Sequence, residues 1–137
     1  MRVVIDTSLW LSGLMQPLSV PGRLTRAVVA GHIVAVSSEP LLTQIGVALQ
    51  YPKVRRRIPL TDDLLRRFVG ELRYVTEVVA IDGVTAEVPA DRRDDFILAT
   101  FIASGADYLI SGDSDLTALR TRFAVVTARE FCDQHLR

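Results

Sequence analysis

Cysteine is almost missing from this chain: Cys132 stands alone among 137 residues. That excludes an internal disulfide and any metal centre built on several thiolates. A reducing, cytoplasmic setting follows as the natural expectation. Long hydrophobic runs are lacking too. No apolar stretch approaches the roughly 20 residues of a membrane span, and no signal-peptide pattern opens the chain. Glycine-rich phosphate loops do not occur, and neither His32 nor His135 has a partner at metal-ligand spacing. Net charge is absent as well, because sixteen basic residues balance sixteen acidic ones, so overall charge points to no partner. Lysine occurs once, at Lys53, and every other basic residue is arginine.

What is present is an apolar fraction of 49%, which suits one compact domain over residues 1–137. Short apolar strands alternate with helical patterns. Strands are expected at 2–5, 32–36, 76–81, 107–111 and 123–127. Helices are expected at 7–15, 19–31, 37–50, 61–75, 92–105 and 114–120, with a last one opened by the capping box of Thr127 and Glu130. Ser19, Ser38 and Thr61 are the N-cap candidates. Trp10, Leu11 and Leu14 either form a dimer surface or pack inside. Such alternation predicts an α/β fold of three layers, Rossmann-like, with a mostly parallel central sheet and helices on both faces. In sheets of this kind ligands bind beyond the carboxyl ends of the strands, where strand order reverses.

Acids stand at those ends. "VVIDTS" runs the first strand into Asp6, and "YLISGDSDL" runs the fourth into Asp113 and Asp115. Two carboxylates ~4 Å apart repel by ~1 kcal/mol in water and by ~4 kcal/mol at an effective dielectric of 20. A group of them tolerates that repulsion only by taking up protons or by holding a cation. Hard oxygen ligands suit Mg²⁺ or Mn²⁺, which position water and neutralise charge in phosphodiester hydrolysis. Asp94 and Asp95 open the buried helix. Being adjacent, they lie about 100° apart around its axis, so at most one points at the site. Asp91 reads as a loop residue or helix cap.

Two other acidic-pocket folds are excluded by residue type. A receiver domain needs a lysine after a late strand, and Lys53 is not placed there. Haloacid-dehalogenase-type phosphatases need Asp-x-Asp after the first strand, where this chain has Asp6-Thr7-Ser8.

The segments "VVIDTSLWLSGL", "VSSEPLLTQIGVAL", "DRRDDFILATFIASGADYLISGDSDL" and "VVTAREF" resemble the PIN-domain family. The resemblance is closest to the bacterial toxins of toxin–antitoxin systems, of VapC-like type. It spans nearly the whole chain, and "GADYLISGDSDL" is its most specific part. It implies a Mg²⁺- or Mn²⁺-dependent ribonuclease acting on single-stranded RNA, a homodimer with an antitoxin protein as partner. Carried over by position, the metal-binding and catalytic acids fall on Asp6, Asp95, Asp113 and Asp115. Thr7, Ser8, Gln44, Asp94 and Ser111 are placed around them. Gln44 departs from the pattern, since a second acid belongs there, and Ser8 replaces the usual Asn. An amide offers an oxygen without charge, which lowers the expected metal affinity. A second function therefore stays open: a catalytically weak or inactive module that binds RNA or a protein partner. Lys53, Arg55, Arg56 and Arg57 are the candidate RNA-phosphate contacts; a solvated helix face or an antitoxin-binding surface is the other use of such residues.

Overall fold

A computed structural model describes residues 1–136. Its five strands are β1 (Arg2–Ile5), β2 (Val34–Ser37), β3 (Thr76–Val78), β4 (Tyr108–Ile110) and β5 (Val125–Val126). They form one sheet in the order β3-β2-β1-β4-β5, with every pairing parallel. The chain steps outward from β1 to β3, then returns to lay β4 on the other side of β1. That return makes the gap between the ends of β1 and β4 the switch point of the sheet.

The helices are α1 (Thr7–Met15), α2 (Val20–Val29), α3 (Glu39–Ala48), α4 (Pro52–Arg55), α5 (Asp62–Val75), α6 (Asp95–Ser104), α7 (Ser114–Thr117) and α8 (Ala128–His135), with a 3₁₀ turn at Arg92–Asp94. The helices joining β1, β2 and β3 pack on one another, α1 on α2 and α3, and α3 on α5, while α6 packs on β1, β2 and β4. Val3, Val4 and Ile5 are all fully buried, as a strand covered on both faces requires. The sheet is thus entirely parallel, which sharpens the expectation of a mostly parallel one. β1 has its expected bounds, while the other four strands are shorter than expected, and β3 ends at Val78 rather than at residue 81.

Local chemistry accounts for the ends. Ser19 and Thr61 cap α2 and α5 by accepting the amide N–H groups of Gly22 and Leu64, and the capping box of Thr127 and Glu130 opens α8. Ser38 stands at the N-cap of α3 as expected, but without the expected bond. Its hydroxyl makes no cap bond and instead lies 2.8 Å from the Thr100 hydroxyl, a buried tie between α3 and α6. Gly105 ends α6 at φ 63°, a left-handed turn that favours glycine and feeds the chain into β4. Trp10 is buried, and Leu11 and Leu14 pack against the same core, so these residues serve the interior. Among the described residues no helix is long and apolar enough to cross a membrane.

Candidate functional site

Asp6 leaves β1 and becomes the N-cap residue of α1, yet its side chain makes no cap hydrogen bond. It is 6% exposed. Its Oδ2 accepts from the Ser111 hydroxyl at 2.7 Å, and the Asp113 amide donates to that same Ser111 oxygen at 3.0 Å. Fully buried Ser111 therefore ties the end of β1 to the end of β4. Asp113 in turn caps α7 through its Oδ1, which accepts the Asp115 amide at 2.8 Å. The turn-and-cap use of "GDSD" is real, and it orients Asp113 rather than competing with a site.

A crevice of about 250 Å³ opens at this switch point. Asp6, Asp94 and Asp113 line it, with Thr7, Ser8 and Gln44 at one side and Leu11, Ala48 and Tyr51 beyond. Thr7 donates its hydroxyl to the Gln44 side-chain oxygen, joining α1 to α3. Asp94 Oδ2 is buried without a hydrogen-bond partner among the described residues. Burial and the neighbouring charges of Asp113, Asp6 and Asp91 push the Asp94 carboxyl up to about 7. Burial also raises Asp6, against the lowering effect of the Ser111 hydrogen bond. Both shifts mark negative charge held without a counter-charge.

Asp94 belongs to a second group as well. One carboxylate oxygen each from Asp91, Asp94 and Asp115 lie within 4.8 Å of one another. Asp94 thus bridges the crevice to its rim. Beside the rim, the Arg93 guanidinium is spent on Asp91 at 2.9 and 3.0 Å.

The expected convergence of Asp95 is not observed. Its Oδ1 accepts the Val88 amide at 2.8 Å and its Oδ2 accepts from Arg92 at 2.6 Å, so it fastens the segment before α6. These bonds hold its carboxyl below the usual range. The correction is one residue, and the reason is rotational. A 3₁₀ turn precedes α6, and the ~100° step between neighbours aims Asp94 inward while Asp95 turns to the backbone. Asp91 is the helix cap that the sequence suggested, accepting the Arg93 amide at 3.0 Å at the head of the 3₁₀ turn; its approach to Asp94 was not read, although residues three apart eclipse in such a turn. Tyr51 was missed altogether, and nothing in its own sequence neighbourhood except the basic stretch after it marks it.

Lys53, Arg55, Arg56 and Arg57 occupy α4 and the turn after it. Arg55 is paired to Asp62 at 2.6 Å. Lys53, Arg56 and Arg57 are exposed.

Comparison with known proteins agrees with this architecture. A family model described as PIN domain matches residues 2–115. The chain belongs to the PIN-domain family, whose members are generally metal-dependent nucleases that typically bind a divalent metal. It is 28% identical over 119 residues to an uncharacterized protein of Methanocaldococcus jannaschii, covering 87% of this chain and 75% of that one. No solved structure matches it.

Proposed function

We propose that this chain is a Mg²⁺- or Mn²⁺-dependent endoribonuclease that hydrolyses phosphodiester bonds of single-stranded RNA. In the same proposal it is a cytoplasmic toxin of a toxin–antitoxin pair, a homodimer with an antitoxin protein as partner. The observation that carries the nuclease reading is the crevice: Asp6, Asp94 and Asp113 come from three distant segments, and Asp94 Oδ2 is buried without a hydrogen-bond partner among the described residues. The toxin role, the antitoxin and the dimer rest on the resemblance of the "GADYLISGDSDL" segment and its companions.

The residues fit a hard divalent ion, because the donors are carboxylate oxygens and one of them, Asp94 Oδ2, has no hydrogen-bond partner among the described residues. Asp6, Asp94 and Asp113 would hold it, with Asp115 at the rim. When bound, such an ion supplies charge neutralisation, polarisation of the phosphodiester and a lowered pKa for its water. The chain's own residues supply placement. Ser111 fixes Asp6, the Asp115 amide fixes Asp113, and the Thr7–Gln44 bond sets the wall opposite them. Lys53, Arg56 and Arg57 offer positive charge to the strand's phosphates.

Purified protein with Mn²⁺ is expected to cut single-stranded RNA and to lose that activity in EDTA. RNA left intact by both the native chain and a Gln44→Glu variant would end this reading. Gln44 favours a second one, a weak or inactive module of the same fold that binds RNA or protein. Thermal melting separates the two, since an ion that binds the folded state raises Tm with concentration. No rise in millimolar Mg²⁺ or Mn²⁺ would favour the module.

A further inference from the structure

Tyr51 is one of three tyrosines, and its surroundings differ from those of the other two. Tyr108 packs edge-on against Phe131 with ring centroids 5.8 Å apart, as a core residue does. Tyr74 stands 86% exposed on α5, away from any carboxylate of the crevice. Tyr51 is 57% exposed, yet it lines the same crevice as Asp6, Asp94 and Asp113. Among the described residues its ring stacks on no other ring and its hydroxyl makes no hydrogen bond. Its backbone is fixed at the start of α4, with the amide donating to the Ala48 carbonyl at 3.2 Å. Immediately after it come Lys53, Arg56 and Arg57.

An exposed aromatic ring lining a carboxylate crevice, with exposed cations in the helical turn that follows it, has a specific use. Unpaired bases of a single strand stack on such faces, while basic residues follow the phosphates. We infer that Tyr51 is the platform on which a nucleobase stacks next to the phosphate held at the acids, and that it selects single strands over duplexes. The base would leave the strand's own stack for the phenol ring, and the following phosphates would pass to Lys53, Arg56 and Arg57. A duplex keeps its bases paired and stacked inside, so it cannot use the platform. This inference rests on the nuclease reading for its substrate class, but its test does not depend on turnover.

The probes are a fluorescently labelled short oligouridylate and an abasic strand of the same length, titrated by anisotropy. Mn²⁺ is present, and all proteins carry Asp113→Asn so that the strand stays intact. Stacking worth ~1–3 kcal/mol per base predicts that adding Tyr51→Ala weakens oligouridylate binding roughly 5- to 150-fold. The abasic strand should bind the parent and the Tyr51→Ala protein alike. Tyr51→Phe and Tyr51→Trp should keep full affinity, because the face and not the hydroxyl is used, and Tyr74→Ala should change nothing. In the Tyr51→Trp protein the new exposed indole should be quenched by oligouridylate, against a background from buried Trp10 that stays constant. Equal weakening on both strands, or loss in Tyr51→Phe, would overturn the stacking role and leave the nuclease reading standing. A parent protein that binds neither strand, from a native chain that cuts no RNA, would overturn both.

Discussion

The two ends of the parallel sheet treat their charges in opposite ways. Where β1 begins, the Arg2 guanidinium bonds both oxygens of Glu77 at 2.6 and 3.0 Å, and the Arg2 amide donates to Asp107 at 2.8 Å. Pairing there lowers the Glu77 carboxyl and raises Arg2. Where β1 and β4 end, Asp6 and Asp94 face Asp113 with no cation in salt-bridge contact among the described residues, and both are raised. The same contrast separates Asp94 from its neighbour Asp95. Folding alone favours the first arrangement, because like charges left facing each other in a crevice oppose the compact state. The second is relieved by taking up a proton or by holding a cation.

The largest break in that comparison is expected from Asp113→Asn. It should cut Mn²⁺-dependent cleavage of single-stranded RNA by on the order of 100-fold or more, while far-ultraviolet circular dichroism stays native. Asp95→Asn should do the reverse: Mn²⁺ still raises its Tm, but the starting Tm is lower because the Val88 and Arg92 bonds weaken.

Ser111→Ala tests the tie between the strand ends. Removing a fully buried hydroxyl that serves two partners should cost about 1–3 kcal/mol in denaturant melts. Asp6 would then be raised further, having lost its strongest hydrogen bond.

A smaller effect should appear with pH. Asp94 is raised from 3.8 to about 7, so between those values the folded, metal-free chain holds a proton that the unfolded chain has released. Stability therefore falls as pH rises through that window. In EDTA the Tm of the native chain should drop relative to Asp94→Asn between roughly pH 4 and pH 7, and Mn²⁺ should abolish the drop. A flat difference would mean that the acids do not feel one another.

The smallest expected change comes from Arg73→Ala, which breaks an exposed pair with Glu39. Its shift in Tm should lie close to measurement error and vanish in molar salt.

Much of this was legible from residue order. The apolar run before Asp6, the one before Ser111 and the strand–helix alternation together imply a parallel sheet with both acids at one edge. The capping box at Thr127 was readable because its bonds are local. The bond of Ser38 was not, because its partner Thr100 lies on another helix and competes with the cap. Asp94 and Asp95 could not be separated from sequence for a related reason. A single-residue change in where α6 begins rotates the pair by ~100°, and that start is set by the Arg92–Asp94 turn and the Val88 contact.

Sequence by itself determined which residue types would stand at the strand ends, since hydrophobic periodicity and turn chemistry act over a few neighbours. Only the tertiary structure decided which carboxylates meet, which are already neutralised by arginine, and that Tyr51 keeps an open face beside them. Those are contacts between segments tens of residues apart, and their directions depend on packing that no local pattern encodes.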